Sequence, residues 1–368
     1  MRVLLAVPSF GKEFGGPIAV ARGLQAGLRD LDVDATLIGA GNSRGGTFSL
    51  PAALQFHGTP VPLQLHKIPP AVRHADIVHI IGYRDPVGTT AALAARVARV
   101  PYLLEPAGMH RRRLRSIPLK AMYDATFGRA VVGGARLIVA TSRGEAAELA
   151  EDGIAPQRIV VRANGIDVPV GEALPPRGAF RSRLGLDTTA PLVLSLGRIV
   201  KKKGLPLLIE ALARVPEAHL AIAGPDDGDG TSEAVRAAVT RFDLSNRVHL
   251  VNGGLWGEEK LQAIVDADLF CLFSMTENFG IAPAEAAACG TATIVSDQCG
   301  VAEWLGDGVA VVPYGDVATL ADTMAGLLCD AGRRRSLAER GRAAARSLTW
   351  EAVARQQVEL YRRAVAGT

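Results

Sequence analysis

The chain has 368 residues, 48% of them apolar and 21% charged, with a net charge of +4 and four cysteines. That length exceeds what one hydrophobic core supports and predicts two domains of roughly 150–200 residues. No uninterrupted apolar run reaches the roughly 18 residues that a transmembrane helix needs, and Cys271, Cys289, Cys299 and Cys329 lack CxxC spacing or a neighbouring histidine pair, which argues against zinc and disulfides.

In chain order, the buried strand VLLAV is followed by a glycine-bearing loop and the helical pattern PIAVARGLQAGLRDL. Its apolar run is too short for a signal peptide, so a cytoplasmic location is expected. Strand then helix recurs as ADIVHII and GTTAALAARVA, and as ARLIVA and SRGEAAELAEDG. After the proline- and glycine-rich stretch VPVGEALPPRGAFRSRLGLDTTAP the pattern restarts with LVLSL, HLAIAG, RVHLV, DLFCLF and TATIVS. Such alternation predicts an α/β fold of two doubly wound, Rossmann-like parallel sheets covered by helices. The expected divisions are a domain over 1–170, a linker over 171–190, a second domain over 191–348 and a terminal helix over 349–368 that packs back on the first domain. In that helix Thr349 is the expected N-cap and Glu351 lies in the first turn, with Trp350, Val353, Leu360, Tyr361 and Ala364 near one face.

Charge is unevenly shared. Residues 1–170 hold 20 Lys/Arg against 13 Asp/Glu, or +7, and the remainder hold 21 against 24, or −3. The first half should therefore meet something acidic, a phosphorylated substrate or a membrane surface. The excess is too diffuse, and aromatics at 5% too few, for a nucleic-acid reader.

Three loops carry candidate chemistry. In LSLGRIVKKKGLP, Arg198, Lys201, Lys202 and Lys203 crowd one strand-to-helix turn, which suits a phosphate and equally a solvated lysine loop. In SFGKEFGGPIAV, Gly15 and Gly16 let backbone approach a ligand, and Pro17 suits the first helical position; a turn needed only for geometry reads as well. Neither loop matches GxGxxG or the Walker pattern, which argues against a dehydrogenase and a P-loop enzyme. In ENFGIAPAE, Glu277 follows an apolar strand and Glu285 is expected at the third position of a helix begun by Pro283, where it could simply complement the helix dipole. Two acids with the amides of Phe279, Gly280 and Ile281 between them suit a polyhydroxylated ligand that bears phosphate.

Glu277 and Glu285 reproduce the E-x7-E signature of the retaining glycosyltransferases of family 4, the group 1 glycosyltransferases, whose GT-B architecture sets two Rossmann-like domains across a cleft. GRIVKKKG resembles that family's GR-x4-KG loop, RANGID its NGID turn, IVATSRGE its TSE-like segment, FGGP its first glycine loop, and DADLFCLFSMTENFGIAPAEAAACGTATIVSD its long signature block. The resemblance implies a metal-independent, retaining sugar transfer from a UDP- or GDP-linked donor to a hydroxyl acceptor, with no cofactor and no enzyme nucleophile. It implies Arg198 and Lys203 at the diphosphate, aided by amides at Gly16 and Phe279 to Ile281, Glu277 at the donor sugar, and Glu285 at the ribose. The base would lie near Asn252, Gly253 and Leu255, while Lys201 and Lys202 have no matching role and are expected to face solvent.

Asp227-Gly228-Asp229 forms the DxD of metal-dependent transferases, yet in PDDGDG it reads as a tight turn. Ala107 stands where many relatives have a histidine facing the sugar, and Cys299 where they often have glycine. Tyr83, Glu105, His110, Arg111 and Arg113 are the candidates for the acceptor or sugar side, with a surface imidazole as the plainer reading of His110. Arg111, Arg112, Arg113 and Arg115 suit a lipid-linked acceptor or an anionic membrane, each cation adding about 1 kcal/mol, or a solvated loop. His79 and His249 lie inside strand patterns and are expected to be packed. The alternatives are a catalytically silent scaffold of the same fold in an envelope complex and a nucleotide-sugar epimerase or phosphorylase.

Overall fold

The structure is a computed structural model that describes residues 1–11, 16–41, 47–50, 52–56, 59–62, 64–111, 117–167 and 174–367. Two compact units make up the chain: Met1–Gly165 with Leu348–Thr368, and Ile166–Ser347.

The first unit contains β1 (Arg2–Ser9), β2 (Asp34–Ala40), β3 (Thr47–Leu50), β4 (Ala52–Phe56), β5 (Thr59–Pro62), β6 (Ile77–Ile81), β7 (Tyr102–Glu105), β8 (Leu137–Ala140) and β9 (Ile159–Val161). Seven of these form a parallel sheet in the order β3-β2-β1-β6-β7-β8-β9, and β4 pairs antiparallel with β5 apart from it. The second unit contains β10 (Leu192–Leu196), β11 (His219–Gly224), β12 (Val248–Asn252), β13 (Leu269–Leu272), β14 (Ala292–Ser296) and β15 (Ala310–Val312), parallel in the order β12-β11-β10-β13-β14-β15. Helices cover the strands, and so β6, β10, β13 and β14 are continuous buried runs. In both sheets the winding reverses beside the first strand, between β1 and β6 and between β10 and β13. Loops leaving the carboxyl ends of strands at such a point are where doubly wound sheets hold ligands.

The terminal helix Trp350–Ala366 belongs to the first unit. Thr349 caps it by accepting from the Ala352 amide at 3.2 Å, and Val353, Ala354, Val358, Tyr361 and Ala364 form its buried face. Glycine makes room for Trp350: a Cβ on Gly23 would lie 1.9 Å from the indole, and one on Gly165 2.2 Å. The Tyr361 hydroxyl reaches His79 Nδ1 at 2.8 Å.

The expected linker is corrected in two respects. The unit boundary falls at Gly165, within the NGID turn, and residues 174–190 are built into the second unit. Buried Asp266 binds them: its carboxylate accepts from the amides of Gly178 at 2.5 Å, Phe180 at 2.7 Å and Arg181 at 3.0 Å. Asp268 takes Arg177 at 3.1 Å, Arg181 at 2.8 Å and the Leu192 amide at 2.9 Å. A composition rich in proline and glycine hides these contacts because their acids lie some eighty residues downstream. Asp266→Ala leaves three amides without acceptors, each worth about 1–3 kcal/mol. Urea unfolding should therefore show the second unit weakened by about 3 kcal/mol or more, and an unchanged midpoint would contradict this role.

Candidate active site

The loops after β10 and β13 meet at the switch point of the second sheet. Gly204 makes their approach possible: it is left-handed at φ 61°, and a Cβ there would lie 2.3 Å from the Phe273 carbonyl. Met275 then donates its amide to the Lys202 carbonyl at 2.7 Å. On its other side the β13 loop is joined to the loop after β14, with Glu277 donating to Gln298 at 3.0 Å, Gly300 to Glu277 at 2.9 Å and Val301 to Phe279 at 2.7 Å. Main-chain bonds on both flanks thus fix the Glu277 backbone, while its side chain is free to serve the loop after β10.

That side chain receives Lys203 Nζ on Oε2 at 2.5 Å, with Lys202 Nζ 3.8 Å away. Burial pushes the Glu277 carboxyl up, but Lys203, Lys202 and Arg198 outweigh it and leave it at about 2. Lys202 corrects the expectation of a solvent-facing side chain: it is half-buried and directed at Glu277. Glu277 pulls its pKa up, yet burial together with Lys203 and Arg198 prevails and the net shift is downward. Lys201 is exposed as expected. Arg198 is 46% exposed and bonds Asp227 Oδ1 at 3.0 Å.

Asp227 and Asp229 lie in a turn, with Gly228 and Gly230 left-handed. Asp229 accepts from the amides of Thr231 at 3.1 Å and Lys201 at 3.0 Å. These acids answer local amides and cations. Among the described residues no group of three or more His, Cys, Asp or Glu is placed to hold a metal ion.

The helix Ile281–Ala288 starts earlier than expected. Gly280, left-handed at φ 100°, is its N-cap, so Pro283 is third and Glu285 fifth. This is possible because the early amides of a helix have no internal partners and a proline there sacrifices none. Glu285 is consequently outside the first turn and cannot be explained as a dipole complement. It is buried and takes Lys260 Nζ on Oε1 at 2.6 Å. Burial raises its pKa, Lys260 opposes the rise, and Asp167 adds to it. At the end of β12 Asn252 is exposed, and beyond it Gly253 and Gly254 are left-handed and Leu255 is buried. Asn252 pairs in register with Gly224, whose own neighbour is the Gly197 carbonyl, where a Cβ would sit at 1.8 Å. The sheet thus brings Arg198, Lys202, Lys203, Asn252, Glu277 and Glu285 to one carboxyl edge.

The candidates in the first unit are placed differently. Gly16 begins the helix Gly16–Arg29, and a Cβ there would meet nothing within 4 Å, so no described neighbour demands glycine. Glu105, expected at a ligand-facing position, is corrected: it is completely buried at the end of β7, ion-paired with Arg162 and 3.2 Å from His79 Nε2. Burial holds the His79 pKa down, which keeps the imidazole neutral between Tyr361 and Glu105. His110 is not a surface imidazole either. It stacks on Tyr83 at 5.5 Å, with Nε2 3.4 Å from Asp152, and burial lowers its pKa. Tyr83 is buried, its hydroxyl donating to Asp124 at 3.2 Å. Arg111 meets Glu151 at 2.5 Å, Asp152 at 3.7 Å and Glu148 at 3.9 Å, so local acids already match its charge. Arg112, Arg113 and Arg115 lie outside the described residues.

Ala107, where relatives have histidine, is left-handed at φ 50°. The following Gly108 amide donates to Glu145 Oε1 at 2.7 Å, and the Thr141 amide and hydroxyl donate to Oε2 at 2.8 and 2.9 Å. The acid of the TSRGE segment therefore anchors the loop after β7. Sequence reasoning missed Lys260, which sits among Glu258 and Glu259 in what reads as a solvated helix and is 25 positions from its partner.

Two family models match the chain, one described as glycosyl transferases group 1 over residues 176–344 and the other as a glycosyl transferase 4-like domain over 15–165. A D-inositol 3-phosphate glycosyltransferase of Xylanimonas cellulosilytica is 33% identical over 64% of this chain and 58% of its own length. An alpha-maltose-1-phosphate synthase of Mycolicibacterium smegmatis is 31% identical over 57% of this chain and 58% of its own. The chain thus spans less than two thirds of the length of these curated relatives. Among solved structures, a sucrose-phosphate synthase from Thermosynechococcus elongatus aligns over 100% of both chains with a TM-score of 0.78 at 21% identity. HepE of Anabaena, solved with UDP and glucose, aligns over 98% of this chain and 99% of its own with a TM-score of 0.82 at 18% identity. These two share the GT-B fold with this chain.

The site makes a titration prediction. The Glu277 pKa is depressed from 4.5 to about 2, so the stability it lends is present above about pH 4.5 and drains away as the pH falls toward 2. A carboxyl NMR titration should find Glu277 ionising far below the ordinary glutamate value and Glu285 above it. Ordinary titration of both would contradict the site.

Proposed function

We propose, from the premise that the chain belongs to the group 1 glycosyltransferases, that it moves a sugar from a nucleoside diphosphate to a hydroxyl acceptor with retention of anomeric configuration and without a metal ion. The observation that carries this reading is the pairing of Lys203, with Lys202 beside it, against ionised Glu277 on two loops whose backbones are mutually fixed.

In this reading the donor diphosphate takes Lys203 and Arg198, fixed cations that offset the charge growing on the departing phosphate. Glu277, released from Lys203, accepts from hydroxyls of the donor sugar. The bond between the anomeric carbon and the phosphate oxygen breaks, the acceptor oxygen bonds that carbon on the same face, and the acceptor proton passes to the leaving phosphate. Lys202 keeps Glu277 ionised after Lys203 has turned to phosphate. Amides from Phe279 to Ile281 add donors for phosphate oxygens, Glu285 takes the ribose, and Asn252 to Leu255 border the base. A UDP or a GDP donor fits these contacts, and a UDP complex of the same fold favours UDP as the first choice.

The names of the curated relatives favour a phosphorylated sugar or polyol as acceptor, which matches the +7 balance of residues 1–170. Exposed Ile117, Met122 and Phe127 support a lipid-linked acceptor at an anionic surface as the second class. No helix among the described residues is long and apolar enough to cross a membrane.

A panel of nucleotide sugars, scored for nucleotide release with phosphorylated, simple-sugar and lipid acceptors, tests the activity. Glu277→Ala and Lys203→Ala should each lower kcat about a hundred- to thousandfold without loss of fold, EDTA should leave the rate unchanged, and the product should keep the donor's anomeric configuration by NMR. Full turnover by Glu277→Ala would overturn the proposal.

A further inference from the structure

Lys260 stands on the helix Gly257–Asp266, whose place is fixed from below: Ala263 and Ile264 are buried, the Ile264 carbonyl takes the Thr291 hydroxyl at 2.7 Å, and Asp266 is tied to 178–181. From this fixed helix the ammonium reaches Glu285 Oε1 at 2.6 Å, where the Glu285 side chain is 11% exposed. We propose that Lys260 is a positioning residue for the nucleotide, holding one oxygen of Glu285 so that the other accepts the ribose hydroxyls of the bound donor. The inference rests on the reading of Glu285 as the ribose acceptor given above.

A carboxylate held in a poorly solvated place takes up a proton or turns toward any available donor unless a cation engages it. A protonated acid would spend its remaining strength as a donor, whereas two sugar hydroxyls need an acceptor. Lysine suits the task because its compact ammonium satisfies one oxygen and leaves the other open, while a guanidinium tends to occupy both. The surrounding charges are Asp167, which opposes ionisation of Glu285, and Arg342, which acts on the Cys289 thiol at the end of the same helix. Lys260 is therefore the charge that directly offsets burial at this carboxylate.

Calorimetric binding of UDP and 2′,3′-dideoxy-UDP, with the GDP pair in parallel, tests this in the wild type, Lys260→Met, Lys260→Gln, Lys260→Arg and Glu285→Gln from about pH 5 to about pH 8. Melting curves without nucleotide select folded variants. The wild type should prefer the ribose form about ten- to hundredfold. Lys260→Met and Lys260→Gln should lose most of that preference, and their affinity should fall away at a higher pH than in the wild type, since Glu285 without its cation protonates more readily. Lys260→Arg should retain a wild-type pH limb. If the neutral variants keep the preference and merely bind more weakly at every pH while Glu285→Gln loses it, Lys260 has no positioning role and the ribose reading stands. If Glu285→Gln keeps the preference, or neither diphosphate binds the wild type, the ribose reading falls and takes this proposal with it.

Discussion

The contact between Lys203 and Glu277 organises the second unit. It joins the loops that leave β10 and β13, the two strands between which the sheet reverses its winding. Its geometry depends on very little: a glycine at 204 because the Phe273 carbonyl occupies the space of a Cβ, one amide-to-carbonyl bond from Met275 to Lys202, and a short ladder from Glu277 and Phe279 to the 298–301 loop. Since the backbone on both sides is fixed, a ligand that drew Lys203 away would find Glu277 already placed and still ionised, with Lys202 and Arg198 nearby. The site is therefore preorganised by main chain and charged by side chain.

The first unit uses charge differently. Glu105, Arg162, His79 and Tyr361 form a buried set that ties the end of β7 and the middle of β6 to the terminal helix. Glu145 spends one oxygen on the loop after β7 and the other on Thr141 at the end of β8, while Arg84 pairs with Asp124 and reaches the Met109 and His110 carbonyls, the latter at 2.6 Å. Ala107, His110 and Tyr83 are thereby held in place by buried groups that make no use of a ligand. Removing the acid of such a set would leave an uncompensated buried cation, a loss of about 3–5 kcal/mol, so defects there would register as instability before they registered as lost chemistry.

Much of this was legible beforehand where the signal is local. Continuous apolar runs found β1, β6, β8 and all the strands of the second sheet except β15, and Thr349 with its apolar face found the terminal helix. The strands β2, β7, β9 and β15 are short or carry small and polar residues, and only pairing with neighbours makes them strands. Pairing across the sequence is what composition hides: Lys260 with Glu285, Asp266 with 178–181, Glu105 with Arg162. Lys202 and Lys203 are adjacent in a run of three lysines, and nothing in that run tells that the second turns inward beside the third while the first faces solvent. Pro283 misplaced the helix start because its preference for a first turn does not distinguish the first position from the third.

A crystal structure with a bound nucleoside diphosphate sugar tests the central claim most directly. The account predicts Lys203 Nζ moved from Glu277 Oε2 onto the diphosphate, with Arg198 swung from Asp227 to join it, Glu277 on the sugar and Glu285 on the ribose. A nucleotide seated elsewhere while the Lys203–Glu277 pair stays closed would contradict it.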